Sequence, residues 1–299
     1  HFDIAAFFLS VTIFISEFWI IMFRSSHFLD KIRKEVLMTK IVITDVDGTL
    51  VKDGTLDINP EYYEVIAKLI DKGIHVVICS GRSYSSVSKL FKPLVDKLYF
   101  ICDGGSVIRT KNEILKSYPF DKELWMQMYQ SARNVKDCDC FLSTVGPCYA
   151  EDPDSEMYHW LVDSYKFDMT EIHSIDEVRE DVIKLSVYHT SDCEEACKDD
   201  FIPRWKDEAK LASSGSKWVD CVSKEANKGT ALKWLQEYLE VSREETCAFG
   251  DNINDMEMLQ NAGQSYAVEN AREELKAVAD TIIKPYWEYG VLEVMKSFL

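Results

Sequence analysis

Beyond residue 40 the apolar positions of the chain alternate between two rhythms. Ile41, Val42 and Ile43 form a short β-branched run that ends in turn residues, the pattern of a fully buried strand in a parallel sheet. Tyr62, Val65, Ile66 and Leu69 then recur at helical spacing, with Asn59 and Pro60 as a start signal and Gly73 as a stop. The alternation continues with a strand over Ile74–Cys79, a helix over Tyr84–Phe91 and a strand over Leu98–Cys102. The turn Asp103-Gly104-Gly105 follows and opens a short hairpin over Ser106–Lys116. Between about Pro119 and Trp218 the texture changes. A helix near Asp121 carries Leu124, Trp125, Met128 and Tyr129, and strand-like Cys140–Thr144, Cys148–Ala150 and Val182–His189 are separated by acidic stretches, which reads as an inserted α+β domain. The first rhythm then resumes with a helix over Lys228–Leu239, a strand over Thr246–Phe249, a helix over Asp255–Asn261, a strand over Ser265–Val268 and two closing helices. The expected fold is α/β: a doubly wound parallel sheet built from 38–118 and 219–299, with the α+β domain at 119–218.

Residues 1–37 follow neither rhythm. Ile4–Phe23 is almost continuously apolar, close to the roughly 20 residues a membrane span needs, and Arg24, Lys31, Arg33 and Lys34 follow on the side expected to remain cytoplasmic. Glu17 argues against a span, at a cost of about 2.5–3.5 kcal/mol near its middle, and no basic n-region or small-residue cleavage site marks a signal peptide. Met38 stands directly before the first strand, where a native start is expected. The favoured reading is upstream sequence, with an amino-terminal anchor carrying a cytoplasmic domain as the alternative.

Charge narrows the partners. The basic and acidic residues of the first 37 cancel, so the formal net charge of −17 belongs to the globular part. Such a surface repels polyanions, which argues against nucleic acid and requires an anionic substrate to be drawn in by local positive charge. Cys79, Cys102 and Cys247 sit in apolar runs and read as small hydrophobes. Cys138, Cys140 and Cys148, or Cys193 and Cys197, lack the spacing of a zinc ribbon or finger and are not read as ligands. The cysteines fit a reducing cytosol.

The chemistry starts where the first strand ends. Asp45 and Asp47 lie two apart on extended chain, so both can face one small volume at the carboxyl end of a parallel strand while Val46 turns back to the core. Gly48 permits a sharp turn just beyond. Four stretches stand in order: DVDGTL from Asp45, ICSGR from Ile78 to Arg82, Lys228, and FGDNIND from Phe249 to Asp255. In this the chain resembles the haloacid-dehalogenase-like phosphohydrolases over about Met38–Leu299. It is similar in particular to their Cof-type branch, sugar-phosphatase-like enzymes with a large cap between the second and third motifs. That branch has an Asn-Gly-Ala turn where this chain has Asp103-Gly104-Gly105.

The resemblance implies a Rossmann-like core with an α+β cap and a Mg2+-dependent phosphatase acting on a small phosphorylated metabolite such as a sugar phosphate. Asp45 is then the nucleophile that becomes an aspartyl-phosphate, and Asp47 the general acid and base. Mg2+, a cation that prefers oxygen ligands, is expected on the carboxylates of Asp45 and Asp251 and the backbone oxygen of Asp47, with Asp255 supporting them from behind. Ser80, Gly81, Lys228 and Asn254 are expected at the phosphoryl group. Arg82 reads equally as a substrate contact or a surface ion pair. A phosphomutase using the same intermediate is the alternative enzyme, and a phospho-accepting signalling or binding domain the alternative from another class.

Overall fold

In the computed structural model, which describes residues 38–214 and 216–299, Ile41–Thr44 (β1) is the central strand of an eight-stranded sheet. Its side chains are buried throughout, as a strand covered on both faces requires. On one side of β1 lie His75–Cys79 (β2) and Tyr99–Cys102 (β3), both parallel, and then the antiparallel Val107–Arg109 (β4) and Ile114–Ser117 (β5). A second sheet of six strands holds Cys138–Thr144 (β6), Cys148–Ala150 (β7), Met169–Glu171 (β8), Val182–His189 (β9), Lys210–Ser214 (β10) and Trp218–Val222 (β11), in the order β10-β11-β9-β6-β7-β8. The chain then returns to the first sheet as Thr246–Gly250 (β12), Gln264–Val268 (β13) and Thr281–Ile283 (β14), stacked in parallel on the other side of β1.

The helix Glu61–Asp71 buries Tyr62, Val65, Ile66 and Leu69, the face that the periodicity marked. Asn59 Oδ1 accepts from the Glu61 amide at its start, and Gly73 takes φ +83° at its end. Asp121 caps the helix Lys122–Arg133 by accepting from the Leu124 amide. The strands β8, β10, β11 and β14 had no counterpart in the sequence reading. The boundary expected at 218–219 falls inside β11, which pairs residue by residue with β9 from Trp218 opposite Tyr188 to Val222 opposite Lys184. The crossing back to the core therefore lies beyond Val222. The apolar leader and the possible span within it lie outside the described residues, among which no helix is long and apolar enough to cross a membrane.

Alternation along the second sheet gives it two different faces. Cys140, Leu142, Leu185, Val187, Val219 and Cys221 pack with Trp125, Met128, Tyr129 and Phe201 from the helices Lys122–Arg133 and Phe201–Trp205. Phe141, Lys184, Ser186, Trp218 and Asp220 point the other way, into a cavity shared with the carboxyl end of β1.

The Asp103-Gly104-Gly105 turn ties three parts of the core together. The Asp103 amide donates to Arg82 O at 3.0 Å and the Gly104 amide to Ser80 O at 3.2 Å, which fixes the loop after β2. Gly105, at φ +107°, lies against the backbone of Asn227 and Lys228, so that a Cβ there would collide with it. At Gly73, also left-handed, nothing among the described residues lies within 4 Å of such a Cβ. Gly73→Ala should therefore cost only its backbone preference, about 1 kcal/mol. Gly105→Ala adds displacement of the helix that starts at Lys228 and should lower the melting temperature by several degrees more. Equal losses in thermal melts of the two variants would contradict this account of the turn.

Candidate active site

The carboxyl end of β1 places Asp45 beside β12. Its amide donates to Phe249 O at 3.0 Å, and its side chain is 7% exposed. Lys228 Nζ lies 2.6 Å from Asp45 Oδ1 and 2.6 Å from Asp255 Oδ1, with the lysine 1% exposed and Asp255 fully buried. Asp255 Oδ2 accepts from the amides of Asp251 and Asn252 at 3.0 and 3.1 Å, which closes the turn after β12. Both oxygens of Asp255 are thus committed. Asp45 Oδ2, by contrast, is buried with no hydrogen-bond partner among the described residues.

Asp251 accepts from Thr49 Oγ1 at 3.0 Å and lies against Gly48, where φ is +81° and a Cβ would run into the Asp251 carboxylate. Two separate constraints, the turn and the close approach, thus require glycine at that position. Oxygens of Asp45, Asp251 and Asp255 lie within 4.8 Å of one another. With Asp255 occupied by Lys228 and two amides, a cation would fall to Asp45 and Asp251. The buried, unpartnered Asp45 Oδ2 and the all-oxygen donor set fit a hard divalent ion.

Asp47 faces elsewhere. Arg82 Nε and Nη2 fork onto its Oδ2 and Oδ1 at 2.8 and 2.5 Å, and the Gly54 amide donates to Oδ1 at 3.2 Å. Arg82 is 2% exposed, gives a further bond from Nη2 to Thr55 O at 2.8 Å, and lies 4.8 Å from the ring centre of Tyr165. The ion pair considered for Arg82 exists, but it is buried at the site and its partner is Asp47. Its Nη1 is buried without a partner among the described residues. Ser80 is buried, and its Oγ accepts from the Arg82 amide at 3.1 Å. Gly81, Arg82 and Asn254 line the cavity together with Asp45, Asp47 and Asp251, and Asn254 Oδ1 is a further buried acceptor without a partner among the described residues.

Several residues at the cavity escaped the sequence reading. Tyr165 donates to Asp53 Oδ1 at 2.5 Å, joining the second domain to the loop after Asp47. Lys184, 2% exposed, donates to Gly81 O at 2.6 Å and lies 3.3 Å from Asp103 and 3.9 Å from Asp220. Ser186 Oγ donates to Asp220 Oδ1 at 2.5 Å. A lysine within an otherwise apolar strand pattern, VIKLSVY, was the one readable signal: a charge placed in a buried run must have partners.

Burial dominates the electrostatics. It pushes the Asp45 carboxyl up to about 7, against the opposing pull of Lys228 and with help from Asp255. Asp251 is raised well above the usual range by burial and by Asp45 and Asp255. Burial also opposes the charge on Lys228, but Asp255 and Asp45 outweigh it and hold the ammonium well above its ordinary value. Asp103 rises to about 6 through burial, moderated by Lys184.

The model of the haloacid dehalogenase-like hydrolase family matches residues 42–295. Phosphatase YwpJ of Bacillus subtilis is 28% identical over 298 residues, spanning 87% of this chain and 100% of that protein. The 5-amino-6-(5-phospho-D-ribitylamino)uracil phosphatase YcsE of the same organism is 28% identical across 90% of this chain and 99% of its own. A crystal structure from Eubacterium rectale superposes with a TM-score of 0.78 at 52% identity, covering 88% of this chain and 100% of that one. A sugar phosphatase of HAD subclass IIB superposes with a TM-score of 0.74 at 24% identity, covering 87% and 99%, a likeness of fold.

A pH dependence follows from Asp45. Its carboxyl holds a proton more firmly in the metal-free folded chain than in the unfolded one, where the value is near 3.8. This group's contribution to stability is therefore fully present below that value and is lost as pH rises through about 7. In chelator-treated protein, Asp45→Asn should flatten that decline in melting temperature. Parallel declines in the two proteins would show that Asp45 does not carry it.

Proposed function

We propose, for a chain that belongs to the haloacid dehalogenase-like hydrolase family and is a phosphoric monoester hydrolase, that it cleaves a small phosphorylated metabolite, a sugar phosphate or a related polyol phosphate, through an aspartyl-phosphate on Asp45. The observation that carries this reading is the asymmetry of the Asp45 carboxylate: Lys228 holds Oδ1, and Oδ2 is buried without a partner among the described residues. A carboxylate so fixed presents one oxygen in one direction. Nucleophilic attack needs that arrangement.

In the first step Asp45 attacks phosphorus, the bond to the leaving oxygen breaks, and the departing alkoxide takes a proton from Asp47. In the second, Asp47 removes a proton from water, which attacks the acyl-phosphate, releases inorganic phosphate and restores Asp45. Asp47 now accepts from Arg82 and Gly54, so donating a proton requires its carboxyl to leave the arginine fork. A substrate phosphate supplies a reason for it to leave. Phosphoryl oxygens can take the guanidinium donors, including the unpartnered Nη1, and free Asp47 to turn to the leaving oxygen.

The cavity carries five carboxylates, Asp45, Asp47, Asp53, Asp220 and Asp251, against two cations, Arg82 and Lys184. That excess supports Mg2+, held by Asp45, Asp251 and the Asp47 carbonyl. When bound it supplies positive charge to the transferring phosphoryl group. Lys228 keeps Asp45 oriented, and the Gly81 amide, with Asn254, completes the phosphate surroundings. Asp53, Asp220, Ser186 and Ser214 offer hydroxyl partners of the kind a polyol needs, and Phe141, Tyr165, Phe167 and Trp218 close the cavity with apolar surface. The YcsE relative, whose substrate joins a ribityl phosphate to a heterocycle, supports that class. Nine free thiols are consistent with a reducing cytoplasm.

A panel of phosphorylated metabolites assayed for multiple-turnover phosphate release tests the proposal. Asp45→Asn should lose activity by on the order of a thousandfold or more. Isomerisation of a sugar phosphate without phosphate release would instead make the protein a phosphomutase. Asp47→Asn and Asp251→Ala should fail differently. The first keeps Mg2+ binding in calorimetry and accumulates phosphorylated Asp45, and the second loses Mg2+ affinity and turnover together. The opposite pattern would reverse the two assignments.

A further inference from the structure

The cap holds a second cluster of metal-ligand type on the face of its sheet away from the cavity. Cys193 and Cys197 are the two ends of the one-turn helix Cys193–Cys197, and their four-residue spacing puts both thiols on the same side. Cys138 opens β6 and pairs across the sheet with His189, the last residue of β9. The turn between His189 and the helix is fixed. His189 Nδ1 accepts from the amides of Ser191 and Asp192, both at 3.2 Å, Asp192 Oδ1 accepts from the Glu195 amide at 3.0 Å, and the Cys193 amide donates to Ser216 O at 2.9 Å. As a result the three sulfurs lie within 4.8 Å of one another, and Cys193 and Cys197 are 4.0 Å apart. Thiolates sharing one tetrahedral ion at about 2.3 Å are separated by roughly 3.8 Å, so a small contraction would seat an ion.

Most of the other cysteines are packed singly as small hydrophobes. Cys79, Cys102, Cys140, Cys221 and Cys247 are buried, and burial raises each of their thiols. The group of three is set apart by its arrangement: sulfurs from the start of β6 and from both ends of the helix after β9 come together at one place. Cys138 is partly exposed and gives the cluster a path to solvent.

We propose that Cys138, Cys193 and Cys197 form a binding site for a thiophilic divalent cation of the Zn2+ class, with water reaching the fourth position past Cys138. Binding releases the thiol protons to solvent, and the ion with three thiolates carries a net charge of −1. The site would clamp the start of β6 to the helix that follows β9. Sulfur donors separate it from the all-oxygen centre at Asp45 and Asp251, which suits a different class of ion.

Co2+ is a suitable probe, because thiolate ligation produces a near-ultraviolet charge-transfer band that carboxylates do not. Reduced, chelator-treated full-length protein titrated with Co2+ should develop this band to one ion per chain, and Zn2+ but not excess Mg2+ should abolish it. Cys138→Ser and Cys197→Ser should each lose the band. Cys140→Ser, in the same apolar cluster but outside the group of three, should keep it. Cys138 is the more exposed of the three, so its variant reads the site even where substitution at Cys197 prevents folding. Absence of the band in protein whose thiols titrate as free, or its persistence in Cys138→Ser, would overturn the proposal.

Discussion

The buried ammonium of Lys228 is the constraint on which the rest of the core depends. An ion taken out of water costs several kcal/mol unless its partners are well placed, and here those partners come from distant parts of the chain, Asp45 after β1 and Asp255 after β12. The lysine is also the first residue of its helix, where the helix dipole disfavours a positive charge. Nothing local rewards the lysine for being there. Two carboxylates offset both costs, and in doing so they set the spacing between the ends of two neighbouring strands and the start of a helix. Asn227 secures that start by accepting from the Thr230 amide at 2.8 Å.

Arg82 plays the corresponding part between core and cap. Its guanidinium forks onto Asp47, donates to Thr55 O and lies over Tyr165, whose hydroxyl in turn donates to Asp53. One side chain thus couples the position of Asp47 to the cap. Lys184 does something similar on the other wall, reaching from the cap sheet to Gly81 O and Asp103. The two cations at the cavity therefore hold the domains together, and a substrate phosphate must compete for the first of them.

The sequence was most informative where local pattern and chemistry coincide. The buried β1, the amphipathic helix Glu61–Asp71 and the order of the acidic motifs could be read because each is carried by neighbours in the chain. Asp45, Asp251, Asp255 and Lys228 were named from that order, and the fold brings them to one centre. What could not be read depends on long-range pairing. β10 and β11 are recognisable as strands through their register with each other and with β9, so the cap boundary was placed inside β11. The fork between Arg82 and Asp47 spans 35 positions, and the group of three cysteines joins Cys138 to residues beyond 190. Spacing rules for zinc sites look along the chain, and this cluster forms across a sheet.

The charge of the protein bears on what can enter. The globular part carries the whole net charge of −17, and within the cavity Arg82 and Lys184 already face carboxylates. A phosphate therefore meets no uncommitted lysine or arginine among the residues lining the cavity, and Lys228 sits behind Asp45 with its own two partners. Affinity for the anion must come from an ion that the carboxylates themselves recruit, or from breaking the Arg82 pair. Either route is local and short in range, since charges on the exposed surface are screened beyond about 8–10 Å at physiological salt. A compact monoester can gain from it with its single phosphate, whereas a polyanion would bring further charges against a chain of net charge −17. On the proposed function, discrimination between small and polymeric phosphates would rest on the balance of charge around Asp45, with Tyr165, Trp218 and their neighbours selecting by shape among the ligands it admits.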